Sequence, residues 1–230
     1  MGVFLGYEYD GIIQNQETID ELNAKAVAAG KSTYNGSGLL PGHLLIRDVD
    51  NSGYIDNYDQ VVIGSPEADL TGGLTSTLTW KRLSLYTHFG FQIGGKKLFN
   101  KTLQNLPNQL SGLIDYNLYN RWSVDNPDAK LPAMYIGDSS ASLTDHQLHN
   151  ASNLRLQELR LSYDIPRLWN GKYLKSGEIY FTASNLFVIT KYPGLDPSTI
   201  GSASSNYGSN YEGWSYPSSR TFSFGVKLNF

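Results

Sequence analysis

The chain has 230 residues, a formal net charge of −3 and no cysteine. That balance gives no overall electrostatic argument for nucleic acid or an anionic membrane surface, and it excludes a disulfide framework, thiol chemistry and cysteine-ligated zinc. The 16 Tyr, 9 Phe and 4 Trp beside 23 Gly lean towards β structure.

Met1 is followed by Gly-Val-Phe-Leu-Gly-Tyr-Glu-Tyr, without the basic, apolar and cleavage regions of a signal peptide. No run reaches the ~18 apolar residues of a spanning helix. Residues 2–10 alternate and predict a strand, with Val3, Leu5, Tyr7 and Tyr9 on one face. The period then changes. Thr18 with Glu21 forms a capping-box pattern, Ile19, Leu22, Ala26 and Ala29 share a face, and Gly30 can close the helix. One short helix is predicted over 16–30. Residues 31–43 read as loop, and Leu44–Arg47 as a short extended lead-in.

Asp48–Asp59 places oxygen-bearing side chains at loop positions 1, 3, 5, 9 and 12: Asp48, Asp50, Ser52, Asp56 and Asp59. Tyr54 at position 7 would offer its carbonyl, and Gly53 supplies the turn at position 6. Hard oxygens at this spacing suit Ca²⁺ as a structural staple. The competing reading is a turn whose Asp side chains accept backbone N–H groups without metal. A neutral Ser52 in the set points to weak affinity, a Kd of about 10⁻⁴–10⁻³ M.

Beyond Val61–Ile63, Leu74, Leu78 and Trp80 face opposite to Thr75, Thr77 and Thr79. Lys81-Arg82 makes a tight break. The return strand sets Leu83, Leu85, Thr87, Phe89, Phe91 and Ile93 against Ser84, Tyr86, His88, Gly90 and Gln92. Arms of about ten residues suit a tilted membrane strand. Residues 94–152 are a long polar stretch. Leu154 and Leu156 open the next strand in one phase and Leu159, Leu161, Tyr163 and Ile165 continue in the other, a slip that predicts a β-bulge near Gln157-Glu158. Pro166 ends that strand. Glu178–Ile189 is another, residues 190–216 are loop, and Phe222, Phe224, Val226, Leu228 and Phe230 alternate with polar or small residues.

Long and short connections alternate, so long loops gather at one end of the strands and short turns at the other, as in outer-membrane barrels. Trp80, Tyr163, Trp169 and Phe230 fall near the short-turn end, and Tyr7 and Tyr9 near the other, as interfacial aromatics would. A soluble sandwich also alternates. In the loops, Tyr116, Trp122, Tyr207, Tyr211 and Trp214 could stack on sugar rings or grip a peptide, or could pack the loops on one another. His146 and His149 in Asp145-His-Gln-Leu-His read as solvated side chains rather than a metal pair, and His88 as a polar-face residue. No catalytic constellation stands out, and no enzyme is expected.

Several stretches in order resemble one family. They are Gly6-Tyr-Glu-Tyr-Asp-Gly-Ile, Pro41-Gly-His-Leu-Leu-Ile-Arg-Asp-Val-Asp-Asn-Ser-Gly-Tyr-Ile-Asp, Val62-Ile-Gly-Ser-Pro, Thr71-Gly-Gly-Leu-Thr, Asn185-Leu-Phe with Thr190-Lys-Tyr, and Tyr216-Pro-Ser-Ser-Arg-Thr-Phe-Ser-Phe-Gly. Together they resemble the distal part of SusC/RagA-type TonB-dependent outer-membrane transporters. The resemblance implies an all-β fold of antiparallel transmembrane strands, about the last six of a plugged barrel of roughly 22, with long outer loops and one loop helix. Residues 1–230 would be the C-terminal portion of that barrel, a fragment without plug domain or signal peptide, inactive and poorly soluble when expressed alone. The implied setting is the outer membrane of a Bacteroidetes-like Gram-negative bacterium. Implied partners are a SusD-like surface lipoprotein, a glycan or oligopeptide substrate, membrane lipid, and the TonB complex only through the missing N-terminal part. The alternative is a secreted calcium-stabilised β-sandwich that binds carbohydrate; the two differ in whether the apolar strand faces look outward or inward.

Overall fold

The computed structural model describes residues 2–36, 38–99, 120–133, 135, 143–166, 175–194, 196–198 and 218–229. The chain divides into two compact units, Met1–Pro66 with Leu98–His149, and Glu67–Lys97 with Asn150–Phe230.

The first unit is built from short pieces. Strand β1 (Phe4–Gly6) and β2 (Tyr9–Ile12) precede helix α1 (Gln16–Ala28), β3 (Leu44–Ile46) and β4 (Val61–Gly64). β1 pairs antiparallel with β4, and β2 with β3. The single strand expected over 2–10 is therefore two. The chain changes partner at Tyr7, whose N–H donates to the Leu143 carbonyl at 2.9 Å. Gly6 permits this close approach: a Cβ there would stand 2.5 Å from the Leu143 oxygen and 2.7 Å from Ile63 Cδ1.

Helix α1 forms where expected but starts differently. Asn15 Oδ1 accepts from the Thr18 N–H at 2.9 Å and from its hydroxyl at 2.8 Å, so Asn15 caps the helix and Thr18 is its third residue. At the far end the Lys31 N–H reaches the Ala26 carbonyl and the Gly30 N–H the Val27 carbonyl, with Gly30 at φ 81°. This is the left-handed closure anticipated for Gly30. Ile19 and Ala26 pack with Ile13, Tyr34 and Leu39 into a small core that Leu22, Leu45, Tyr54 and Ile55 flank. Ala29, expected on the same face, is exposed.

The second unit is a sheet. Strands β5 (Ala68–Trp80) and β6 (Leu83–Gly94) form its hairpin; β7 (Lys96–Leu98) and β8 (Leu148–Asn150) are short strands outside the sheet. β9 (Asn153–Ile165), β10 (Ser176–Thr190) and β11 (Thr221–Asn229) complete the antiparallel order β11-β10-β9-β6-β5. Trp80 pairs with Leu83 across the two-residue turn Lys81-Arg82, as predicted. The predicted bulge is present: Glu158 pairs with His88 and Leu156 with Phe89, leaving Gln157 unpaired. β10 bulges in turn between Ser184 and Phe187, where Asn185 takes φ 54°.

Candidate functional site

Register carries the apolar residues of all five strands onto one face. Leu78, Leu85, Leu161, Phe181 and Phe224 form one row, and Trp80, Leu83, Tyr163, Ile179 and Val226 the next. This face is bare among the described residues. Leu74 is 64% exposed, Trp80 70% and Phe224 71%. Burying one such side chain is worth about 1.5–3 kcal/mol, so two ordered rows left in water would be a large unspent stabilisation. A sandwich would cover this face with a second sheet. Trp80 and Tyr163 stand beside the short turn, as expected of an interfacial belt. Tyr7 and Tyr9 belong to the first unit, where the Tyr9 ring meets His146 edge-on at 4.9 Å. Trp169 and Phe230 lie outside the described residues.

The opposite face is polar. Arg160 donates to Glu178 Oε1 at 2.8 Å, and its guanidinium lies 4.5 Å from the centre of the Tyr180 ring. His88 sits on this face, its Nδ1 3.0 Å from Thr75 Oγ1. Glycines make room for larger neighbours here, with Gln157 over Gly90 and Tyr180 over Gly225. Near the long-loop end, buried Arg155 donates to Asp196 Oδ1 at 2.5 Å and to Ser198 Oγ at 3.1 Å. Buried Lys97 donates to the carbonyls of Asp196 and Pro197, and its ammonium lies 5.6 Å from the Tyr192 ring centre. Burial pushes the Asp196 carboxyl up, but the Ser198 N–H and the Arg155 charge outweigh it and hold the group below its ordinary value.

In the loop unit, Asp48, Asp50 and Asp59 bring carboxylate oxygens within 4.8 Å of one another. Gly53 turns the loop at φ 89° and Asn51 at φ 59°. Backbone donors compensate part of the charge. Ser52 N–H reaches both Asp48 and Asp50, Gly53 N–H reaches Asp48 at 2.7 Å, and Val49 and Asp56 N–H each reach the fully buried Asp59 at 2.8 Å. The other expected ligands are engaged elsewhere. Asp56 caps the turn Asn57–Asp59 by accepting from the Tyr58 N–H, and the Ser52 hydroxyl donates to the Tyr54 carbonyl. Three convergent carboxylates fit a hard divalent cation, and the same three serve as turn caps. Close by, burial and then Asp48 and Asp59 push the Tyr34 phenol up to about 12, its hydroxyl donating to the Ile46 carbonyl.

Of the aromatic loop residues, only Trp122 is described. It is 8% exposed, packs against Gly42 and donates its indole N–H to Gln14 Oε1 at 2.8 Å, so here it fastens the loops together rather than facing a ligand. Tyr116, Tyr207, Tyr211 and Trp214 lie outside the described residues. His146 Nε2 lies 2.8 Å from the Lys130 carbonyl, and Asp145 accepts from the Tyr9 N–H. Among the described residues the only metal-suited group is the Asp48, Asp50 and Asp59 trio.

No family model matches the chain. Over its full length it is 29% identical to TonB-dependent receptor P3 of Formosa agariphila, covering 22% of that protein. TonB-dependent receptor SusC of Bacteroides thetaiotaomicron is 30% identical over 206 residues, 87% of this chain and 19% of SusC. The solved structure of the RagAB peptide importer in the open-open state aligns over 99% of this chain and 22% of the solved one, with TM-score 0.67 and 25% identity. The closed-closed state aligns over 99% of this chain and 23% of the solved one, with TM-score 0.65 and 26% identity. The chain is of the SusC/RagA type. It spans about a fifth of the length of the curated relatives it matches.

The antiparallel strands of this SusC/RagA-type chain are accordingly strands of a transmembrane β-barrel, apolar face outward and polar face inward. Five long strands are described where about six were expected, because residues 2–10 belong to the loop unit. What sequence reasoning missed was the Lys97–Arg155–Asp196 cluster. Its members are far apart in sequence, and of them only Arg155 lies in a long alternating strand, Lys97 standing in the three-residue β7.

Proposed function

We propose that this chain forms wall and outer loops of a TonB-dependent transporter that imports oligomeric nutrients, oligopeptides or glycans, across a bacterial outer membrane. A SusD-like surface lipoprotein would close over it, and energy coupling would reach it through plug and TonB-contacting segments elsewhere in the protein. The carrying observation is the five-stranded sheet with one bare apolar face and one polar face. The RagAB and SusC relatives support the same reading. Within the loop unit, Asp48, Asp50 and Asp59 are proposed to hold a calcium ion as a structural staple, and the bound cation would offset three converging negative charges.

The test is a deletion strain. Loss of uptake of a labelled oligopeptide or glycan pool in that strain, with monomer uptake unchanged, and recovery of the protein from the parent strain only in the detergent-extracted outer-membrane fraction, supports this function. Recovery of the full protein as a soluble carbohydrate-binding species overturns it.

A further inference from the structure

At the short-turn end of the sheet, four features converge. Trp80 is 70% exposed on the apolar face, and Tyr163 stands in the same cross-strand row, joined to it through Leu83. The Lys81 ammonium lies 5.1 Å from the Trp80 ring centre. Exposed Arg82 follows directly. Finally, Lys81 occupies a left-handed backbone position, φ 57°, where Asn or Gly is the unstrained choice in a two-residue hairpin. A lysine there carries backbone strain that a turn by itself does not require, which directs attention to its charge.

Asp164, whose N–H donates to the Arg82 carbonyl at 2.9 Å, pairs with Glu178 on the alternate face, one residue out of phase with Tyr163. It therefore does not stand in the row that Trp80 and Tyr163 occupy. The two cations sit where an apolar wall meets water, beside two aromatic rings that favour that depth. The attraction is local, since the chain as a whole is negative.

We propose that this corner is a seat for the headgroup of an anionic glycerophospholipid, with Lys81 and Arg82 meeting the phosphate and Trp80 and Tyr163 flanking the acyl ester region. The proposal rests on the reading that the apolar face meets lipid. Its experiment uses the full protein in nanodiscs of phosphatidylcholine doped with chain-brominated lipid, either phosphatidylglycerol or phosphatidylcholine. The Trp80 signal is isolated as the difference from a Trp80→Phe protein. Brominated phosphatidylglycerol is expected to quench Trp80 at lower mole fraction than brominated phosphatidylcholine. The Lys81→Gln/Arg82→Gln protein should lose that preference, by about fivefold per cation, while keeping full quenching at high bromination. Equal quenching by the two lipids in the parent protein, or a preference that survives the double substitution, overturns the headgroup seat alone. Absence of quenching by either lipid at any fraction overturns the membrane-wall reading with it.

Discussion

Tyr180 covers Gly225 of the neighbouring strand so closely that a Cβ on the glycine would stand 2.5 Å from the phenol oxygen. Arg160 meets the same ring at 4.5 Å while bonding Glu178, so the glycine sets the position of an ion pair on the adjoining strands. Gly225→Val should displace the ring and lower stability by about 1–3 kcal/mol through overpacking. The measurement is the temperature at which the folded protein loses its fast gel migration. Tyr180→Ala in the same background should recover part of the loss, and an additive pair would refute the coupling.

The two faces of the sheet should answer differently to charge. Phe181 lies on the apolar face and Thr182, its neighbour, on the polar one. Phe181→Lys should cost about 2–4 kcal/mol if its row lies near the bilayer midplane, whereas Thr182→Lys should cost well under half of that. Urea titrations of refolding into lipid vesicles give both values, and equal costs would contradict the assigned outward face.

The calcium staple makes a quantitative demand. With calcium tenfold above a Kd near 10⁻³ M, binding to the folded state alone stabilises by about 1.4 kcal/mol. Melting of the full protein should rise accordingly on adding calcium and fall back with chelator. Asp48→Asn should abolish the response. A parent protein indifferent to calcium would leave the three carboxylates as turn caps only.

Asp196 sets an acid limit. Its folded-state carboxyl is held below the ordinary value, near 3.8, so the charged form is stabilised on folding. That contribution is fully present above the ordinary value and is lost as pH falls through the depressed one. Asp196→Asn should flatten this acid slope. At neutral pH it should also destabilise the protein by about 3–5 kcal/mol, because Arg155 stays buried beside a neutral partner. An unchanged acid profile in the variant would remove Asp196 from the account.

Much of the sheet was legible because each strand alternates sharply, and a period of two survives without knowledge of partners. Even the slip at Gln157 shows as a change of phase within one strand. Features decided by partners were not legible. Residues 2–10 alternate like a strand, yet Tyr7 answers to Leu143 and the ladder breaks there. Thr18 looked like a helix cap, but Asn15, three residues earlier, reaches its N–H first. Asp56 sits at a ligand position, and a donor two residues away, the Tyr58 N–H, claims its oxygen. For Trp122 the sequence leaves ligand stacking and loop packing open, and the choice rests on Gly42 and Gln14, both remote in sequence.

The connection between β6 and β9 runs from Gly95 to Ser152, while the strands it joins are direct neighbours in the sheet. Closing a longer loop is inexpensive, because each doubling in length adds only about 0.6 kcal/mol of entropy cost. The register of the wall is set by its own side chains and by the Lys81-Arg82 turn, not by this connection. The length of the segment between Gly95 and Ser152 can therefore vary at little cost to the register of the sheet, so long as the anchors Lys97, Trp122 and Leu143 keep their partners. One inherited wall could in this way carry different rims.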